Sequence, residues 1–555
     1  MKNVLLSTAI SATLLSGTAH ATITVNADGT PTAATLAATT RVYLSGSSAY
    51  QKLIESALLD DSQNGICKTG TVHKYQDALI AGSSNQVAYL CELNVDSTTP
   101  NPVLTKLKTK PATWKDNLLL YKRNNGESLK GTFPVANNQA IEFLNVEANA
   151  GTCTLAGVFG VNSSVTCDYN ELSNSQIAIP DFGVSDVEPK IFTIASGNAP
   201  AGTANLATSY KISTGVATVY GVAVTTKLRN ALQEAQFGKV DACIGAETEA
   251  CMPSLSSRQI AEIFAAYPAP TAPVTNPVVG AGKIHNWHQL KVGTSDLFSN
   301  ASVQPASSKV HICSRTSGSG VKAQFGIRFL NNVCNRSGSQ VVSQADYVGS
   351  NETGSPQITE VSVRPIVHVM ASSGGVNECM DELDLDANNI SGSFNSSQYA
   401  GGRWAIGFSS LDINTDRSKS FRFIKVDGFA PTIQNVANGS YPDWVESTYI
   451  YRKGTVNPLI GDKLTLVNEM INSFGKPEVV GSFNTANATH SFGTSGFLSV
   501  PNAQHAANVD GSITLSGPVN PLSYAISATK PTDNCRVPLV YSTTNNNNQG
   551  LQLVP

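Results

Sequence analysis

The sequence is poor in charged residues and holds no long apolar run beyond its first residues. Only 14% of its 555 residues are charged, and the formal net charge is −3 at pH 7. Binding to nucleic acid or to an anionic membrane surface needs clustered basic residues, so neither partner is indicated. No apolar run beyond residues 1–21 is long enough to span a bilayer, and we expect no direct membrane insertion.

Several signatures of catalysis are also missing. The sequence contains no G-x-S-x-G nucleophile elbow and no H-E-x-x-H zinc motif. Gly282 and Lys283 do not belong to a phosphate-binding P-loop, because Pro277 occupies the position of its first glycine. A secreted phosphoryl-transfer enzyme is therefore the least favoured function class, and we expect no metal and no cofactor.

The first residues predict export from the cytoplasm. A basic start, a short apolar run and Ala19-His-Ala21 form the pattern of a secretory signal peptide, residues 1–21, cut after Ala21. No cysteine lies beside that site, so a lipid anchor is not expected. The mature chain should be periplasmic or extracellular.

Ten cysteines fit an oxidising compartment. Their even number favours disulfides over thiol or metal chemistry there. Pairing between sequence neighbours is the simplest expectation, and Cys153 with Cys167 or Cys243 with Cys251 would close short loops. The sequence by itself does not fix the connectivity.

A short strand, a glycine-rich turn and a helix follow one another at residues 310–329. From Val321 onward, apolar residues recur at helical spacing. The free N–H groups of the first helical turn then fall on Ser317, Gly318, Ser319 and Gly320, where an oxyanion would also meet the Ser319 hydroxyl and the guanidinium of Arg315. The alternative is an ordinary surface turn with a solvated arginine.

Two further turns repeat this plan. The turn after the first strand holds Ser47, Ser48 and Ala49 and leads into a helix, and Ser128 lies in a polar turn after a second strand. These serines could face an anion. They could equally cap a helix, since Ser48 with Gln51 fits a capping box.

A resemblance becomes visible at Asp181-Phe-Gly-Val-Ser-Asp186. This segment is similar to the D-F-G-A-S-D segment of the periplasmic phosphate-binding proteins of ABC-type uptake systems, in the type II periplasmic binding protein superfamily. Further segments resemble motifs of that family in the same order: Tyr220-Gly-Val-Ala-Val224, Leu255-Ser-Ser-Arg-Gln-Ile-Ala-Glu-Ile-Phe264, Gly282-Lys-Ile-His-Asn-Trp287, Arg315-Thr-Ser-Gly-Ser-Gly320, Trp404-Ala-Ile-Gly-Phe408, and Val426-Asp-Gly-Phe-Ala-Pro-Thr432 followed by Tyr441-Pro442.

The chain also departs from the family pattern. Ser317 and Val321 stand where the family has aspartate and threonine, so an arginine-orienting carboxylate and a hydroxyl donor are missing. A Pro/Ala-rich insert at 265–281 splits one of the motifs.

The resemblance implies an α/β, two-lobed type II periplasmic binding protein fold with mixed sheets, two hinge crossings and loop-rich insertions. Lobe 1 would hold residues 36–220 and 441–555, with an insertion near 60–118, and lobe 2 would hold residues 221–440. The turns of both lobes would then face one cleft.

The same resemblance implies a solute-binding protein for phosphate or a similar protonated oxyanion, with an ABC-transporter membrane component as partner. The ligand-binding residues that it implies are Ser47, Ser48, Ala49, Ser128, Asp186, Arg315, Ser319 and Gly320. A carboxylate repels a fully ionised oxyanion but accepts a hydrogen bond from HPO₄²⁻ or H₂PO₄⁻, so Asp186 should favour phosphate or arsenate over sulfate. The alternative is a secreted scaffold or adhesion protein that keeps the fold without transport.

Overall fold

The structure is a computed structural model of the chain, and only part of the sequence is described. The described residues are 23–59, 65–77, 86–94, 115–125, 127–147, 153–156, 163–168, 175–265, 284–332, 334, 339–341, 365–385, 402–499, 523–526, 534–535 and 539–542. The predicted signal peptide and most of the predicted Pro/Ala-rich insert lie outside them.

Strands are the commonest elements of the described residues. They are β1 (Thr39–Gly46), β2 (His73–Asp77), β3 (Gln86–Glu92), β4 (Asn117–Arg123), β5 (Ile141–Leu144), β6 (Cys153–Leu155), β7 (Ser164–Cys167), β8 (Ser175–Ala178), β9 (Phe182–Ser185), β10 (Tyr210–Thr225), β11 (Ser254–Leu255), β12 (Lys291–Val292), β13 (Ser295–Asp296), β14 (His311–Arg315), β15 (Ile366–Met370), β16 (Ala405–Ser410), β17 (Phe421–Phe423), β18 (Lys425–Val426), β19 (Trp444–Arg452), β20 (Thr489–His490), β21 (Gly493–Thr494), β22 (Phe497–Leu498), β23 (Ser523–Ile526) and β24 (Leu539–Ser542).

The described helices are short to medium in length, and none of them is long and apolar enough to cross a bilayer. They are α1 (Ala33–Ala37), α2 (Gln51–Leu59), α3 (Glu127–Lys130), α4 (Phe133–Ala136), α5 (Thr226–Phe237), α6 (Ser257–Phe264), α7 (Leu297–Asn300), α8 (Gly320–Leu330), α9 (Ser373–Leu385), α10 (Ile433–Ala437), α11 (Gly461–Phe474) and α12 (Pro477–Asn487).

One large mixed sheet organises the fold and confirms the predicted α/β class. Counted over the described residues it has 14 strands, in the order β15-β14-β16-β10-β19-β9-β1-β4-β3-β2-β7-β6, with β17 and β22 also paired to β10. We call β19, β9, β1, β4, β3, β2, β7 and β6 the first half of the sheet. We call β14, β15, β16 and β17 the second half.

Strand β10 belongs to both halves. Its residues 210–219 pair with β19 in the first half, and its residues 220–224 pair with β16 in the second. The chain therefore leaves the first half along β10, and it returns where α10 leads into β19. These are two crossings, as the resemblance implies.

The strands that position the site are buried and parallel. β1 pairs with β4 on one side and with β9 on the other, both in parallel. All seven residues of β4 are buried, which fits the apolar run Leu118–Tyr121 at its centre, since central strands are covered on both faces. The carboxyl ends of β1, β4 and β9 consequently lie at one edge of the first half.

In the second half, β14 runs parallel to both of its neighbours, β15 and β16. Its five residues are all buried. The chain turns at the carboxyl end of β14 and enters α8. This is the strand, turn and helix that the sequence predicts.

All ten cysteines form disulfides: Cys67–Cys91, Cys153–Cys167, Cys243–Cys251, Cys313–Cys379 and Cys334–Cys535. The two expected short loops are confirmed. Pairing between neighbours is wrong for Cys313 and Cys334, because Cys313 lies in β14, against α9 with its Cys379, while Cys334 follows α8.

The Cys334–Cys535 disulfide brings the C-terminal tail onto both halves. Asn534 exchanges two hydrogen bonds with Glu188, which follows β9 in the first half: the Glu188 N–H donates to Asn534 Oδ1 at 2.6 Å, and the Asn534 N–H donates to Glu188 Oε1 at 2.8 Å. The Asn534 side chain also donates to the carbonyl of Glu446 in β19 at 3.5 Å. The adjacent Cys535 is bonded to the second half.

We predict that alkylation of the native protein without reductant, followed by intact-mass measurement, modifies none of the ten cysteines. Mild reductant without denaturant should open Cys334–Cys535 first, because both residues are exposed, and Cys313–Cys379 last, because both are fully buried. Peptide mapping after differential alkylation measures the order. Simultaneous opening of the two would contradict it.

Candidate functional site

Four segments meet between the two halves of the sheet. Ser47 follows β1, Ser128 lies in α3 just after β4, Asp186 follows β9, and Gly320 begins α8. The first three come together because their strands are parallel neighbours whose carboxyl ends share one edge. Ligands in open α/β sheets bind at such edges.

Asp186 is the centre of this cluster. Its side chain is buried, and Oδ1 accepts hydrogen bonds from the Ser47 hydroxyl at 3.0 Å and from the Tyr220 hydroxyl at 2.5 Å. Oδ2 accepts from the Ser128 hydroxyl at 2.5 Å. Burial and the neighbouring carboxylate raise the pKa of Tyr220 well above its usual value, so its hydroxyl remains a donor. Three charge-assisted hydrogen bonds thus hold the buried carboxylate.

The start of α8 touches this carboxylate directly. A Cβ built on Gly320 would lie 2.3 Å from Asp186 Oδ2 and 2.3 Å from Ser128 Oγ. Only glycine allows the second half to approach the first so closely. The contact also places a negative charge at a helix N-terminus, where the helix dipole stabilises it.

Ser319 is the N-cap of α8. Its hydroxyl oxygen accepts from the backbone N–H of Lys322 at 3.3 Å, which is the usual work of a capping serine. Its side chain is buried, with 1% of its surface exposed. Ser319 therefore lies beside the cluster, and its hydroxyl hydrogen is not committed by the cap.

Arg315, at the end of β14, is paired across the two halves. Its guanidinium donates to Glu127 Oε1 at 2.7 Å and to Ser373 Oγ at 2.8 Å. Glu127 Oε1 also accepts from the Thr316 hydroxyl at 2.8 Å. Burial raises the pKa of Glu127, and the Arg315 charge opposes that rise. The buried carboxylate that pairs with this arginine is thus Glu127, which lies in the turn after β4.

Lys122, in β4, supports the cluster through the turn that carries Ser47. It is fully buried, and its ammonium donates to the carbonyls of Gly46, Ser47 and Arg123 at 2.9, 3.2 and 3.1 Å and to Asn124 Oδ1 at 2.7 Å. These bonds hold the turn that presents Ser47. Burial lowers the pKa of Lys122 to about 7, and the Asp186 carboxylate opposes that shift.

The structure does not bring all the predicted residues to one point. Ser48 and Ala49 lie in the turn after Ser47, and neither contacts Asp186 in any hydrogen bond of the described residues. The N-cap of this turn is Ser47, whose Oγ accepts from the Ala49 N–H at 3.2 Å, and not Ser48. Ser47, Ser128, Asp186 and Gly320 are in direct contact.

Three residues of the site, Tyr220, Glu127 and Lys122, are missing from the ligand-binding residues that the sequence predicts. Tyr220 does open one of the segments that carry the resemblance, but only as part of a strand. Glu127 precedes Ser128 in the same polar turn, and that adjacency was the only signal for it. Lys122 offered a weaker signal, as a charged residue that directly follows the apolar run Leu118–Tyr121 within one strand.

Comparisons with known proteins give a distant likeness. No family profile matches the sequence, and no curated protein matches it. A phosphate ABC transporter substrate-binding protein with bound phosphate from Clostridium perfringens is similar at 12% identity and a TM-score of 0.35, over 80% of this chain and 98% of that chain.

Two other solved structures are similar to a comparable degree. PstS from Borrelia burgdorferi has 11% identity and a TM-score of 0.30, over 83% of this chain and 99% of its own. An ABC-type phosphate transport receptor from Vibrio cholerae has 12% identity and a TM-score of 0.26, over 55% of this chain and 79% of its own. A likeness of this size concerns the fold alone, and no residue role is taken from it.

The contact at Gly320 generates a prediction. Gly320→Ala should lower the free energy of unfolding by about 1–3 kcal/mol, because its methyl group meets Asp186 and Ser128 in a packed site. Gly326→Ala on the same helix is the matched control, since its nearest neighbours lie at 3.3 Å and alanine favours a helix by up to about 1 kcal/mol. Urea unfolding measures both variants. Equal losses of stability would show that the Gly320 contact is not the cause.

Proposed function

We propose that the chain is a solute-binding protein that takes phosphate, or a similar protonated oxyanion, between the two halves of its sheet. The observation that carries the proposal is the buried cluster of Ser47, Ser128 and Asp186 against the first turn of α8. Hydroxyl donors, backbone N–H groups and one carboxylate meet there in a region from which water is excluded. This combination suits an oxyanion that carries a proton.

Binding would proceed by an exchange of hydrogen bonds. The hydroxyls of Ser47 and Ser128 now donate to Asp186, and by rotating they can donate to an oxyanion instead. A P–OH group of the ligand would replace them as the donor to Asp186. The N–H groups of the first turn of α8 and the hydroxyl of Ser319 would add donors from the second half. Sulfate brings no proton, so it would leave the Asp186 carboxylate with the Tyr220 hydroxyl as its remaining donor and Oδ2 unpaired.

This exchange requires the halves to separate, since Gly320 now touches Asp186. We propose that lobe 1 holds residues 36–220 and 441–555, with the insertion near 60–118, and that lobe 2 holds residues 221–440. Opening about the two crossings would move Gly320 away from Asp186.

The cellular setting belongs to the same proposal. Five disulfides support an oxidising compartment, which is the periplasm or the outside of the cell. An ABC-transporter membrane component would be the partner that receives the ligand. We propose binding without turnover, and so no enzyme activity.

One observation favours a second candidate, a secreted scaffold or adhesion protein with the same fold. Arg315 is already paired with Glu127, and Asp186 already has three donors, so these charged groups are balanced within the protein. In a scaffold, this network would join the halves permanently.

Calorimetric titration and thermal melting with phosphate distinguish the two candidates. A solute-binding protein should gain about 2.7 kcal/mol of stability when phosphate is present at 100 times its Kd, which raises the Tm. Sulfate at the same ionic strength is the control. An unchanged Tm at millimolar phosphate, together with no heat of binding, would favour the scaffold.

A second prediction concerns the choice between anions. Asp186→Asn keeps the shape but supplies an amide that can also donate, so this variant should lose its discrimination against sulfate. Arg315→Ala should lower the affinities for phosphate and sulfate alike, because it removes a positive charge that attracts both anions whatever their protonation state. Calorimetry with both anions measures the two ratios.

The exposed Asp416→Asn variant is the control for a lost carboxylate. Because Arg315→Ala leaves Glu127 buried without its partner, the double variant Arg315→Ala/Glu127→Gln should be measured beside it. If Asp186→Asn keeps the parent ratio of phosphate to sulfate affinity, Asp186 has only a structural role.

A further inference from the structure

The Arg315–Glu127 pair is incomplete on one side. Arg315 Nε and Glu127 Oε2 are both buried, and neither atom has a hydrogen-bond partner among the described residues. The two side chains are 3% and 7% exposed. One ion pair thus contains a buried donor and a buried acceptor that it does not itself satisfy, and buried polar groups of this kind are costly to leave unpaired.

The open acceptor faces the glycine-rich turn. A Cβ built on Gly318 would lie 3.3 Å from the Leu129 Cβ and 3.9 Å from Glu127 Oε2, and Gly318 has a φ of +105°, which glycine tolerates and other residues rarely adopt. The turn therefore presents no side chain at Gly318 toward the carboxylate. Ser319 and Gly320, the start of the proposed binding site, follow directly.

The backbone of Glu127 is held in an unfavourable conformation. Its φ is +60°, in the left-handed region that residues with a Cβ seldom occupy. The ion pair with Arg315, at 2.7 Å, crosses from one half of the sheet to the other. Strain of this kind concentrates at binding sites, where the surrounding structure imposes it.

We propose that Glu127 is a second proton acceptor of the binding site, so that the ligand is a doubly protonated tetrahedral monoanion of the dihydrogen phosphate type. This inference rests on the proposed function. One P–OH group would donate to Asp186 and the other to Glu127 Oε2, while Arg315 Nε donates to an ionised oxygen.

The charges around the site agree with a monoanion. The carboxylates of Asp186 and Glu127 both repel a dianion, and the positive charges of Arg315 and Lys122 offset part of that repulsion. Lys322, in the first turn of α8, is a further buried cation. A ligand with two protons replaces two carboxylate repulsions by two hydrogen bonds, whereas HPO₄²⁻ has a proton for only one carboxylate.

Calorimetric titration with inorganic phosphate between about pH 6 and about pH 8, across its second ionisation, tests the inference. For the parent protein, the affinity for total phosphate should fall by about tenfold per pH unit where the dihydrogen form is the minority. Glu127→Gln offers an amide N–H to an ionised oxygen, so this variant should accept HPO₄²⁻ and lose most of that slope. It should still reject sulfate, because Asp186 remains.

A control variant isolates position 127. Glu142→Gln also removes a carboxylate that pairs with an arginine, Arg123, at 3.3 Å, and its slope should equal that of the parent. Any contribution of Lys122 to the slope is shared by the parent and both variants, so the difference between the slopes belongs to Glu127.

The outcomes separate the inference from the proposed function. A parent protein that binds phosphate, with the same slope in Glu127→Gln, overturns the role of Glu127 and leaves the proposed function standing. A parent protein that binds no phosphate at any pH overturns both. A slope that is lost in Glu127→Gln alone, with sulfate still rejected, supports both.

Discussion

Asp186 carries a negative charge in a place where water does not reach it, and three hydroxyl groups surround it. An isolated carboxylate would be very costly there. The site forms because the carboxyl ends of three parallel strands bring the donors into range and because Gly320 lets a helix N-terminus lie against the charge. The approach of the two halves is therefore part of what keeps Asp186 buried, and any loss of that approach exposes the carboxylate.

Tyr220 links this carboxylate to the path of the chain between the halves. Its hydroxyl donates to Asp186, and its carbonyl accepts from the Tyr441 hydroxyl at 2.7 Å. Tyr220 lies in β10, the first crossing, and Tyr441 lies just before β19, on the second. Tyr220 therefore joins Asp186 to both crossings, through its hydroxyl on one side and its backbone carbonyl on the other. The proposed opening of the halves on ligand binding would need a physical connection of this kind.

Sequence patterns predict the local elements of the site well and the contacts between them poorly. The strand, turn and helix around Arg315 follow from helical spacing and glycine content, and the structure has them at the expected place. The partner of Arg315 could not be derived in this way, because Glu127 is 188 residues away in sequence. The role of Glu127 depends on a contact between the two halves, and no local sequence pattern predicts that contact.

The same limit explains the other differences. Ser47 replaces Ser48 as the cap because the cap is decided by backbone angles within a short turn, where neighbouring serines are chemically equivalent. Lys122 is a charged residue in a buried strand, and its place becomes intelligible only when four acceptors converge on it. Cys313 bonds to Cys379 and not to its sequence neighbour Cys334, because β14 and α9 pack together in three dimensions.

The Cys334–Cys535 disulfide closes residues 334–535 into a ring that includes strands of both halves of the sheet, β15 to β17 of the second and β19 of the first. Asn534 adds three hydrogen bonds from the same tail to the first half. A peptide bond cut anywhere between residues 499 and 534 would therefore release no fragment. The severed tail would stay joined to the second half through sulfur and would remain beside Glu188 at a high effective concentration. Proteolytic damage to this part of the chain would leave the mass of the folded molecule essentially unchanged until a reductant reached Cys334 and Cys535.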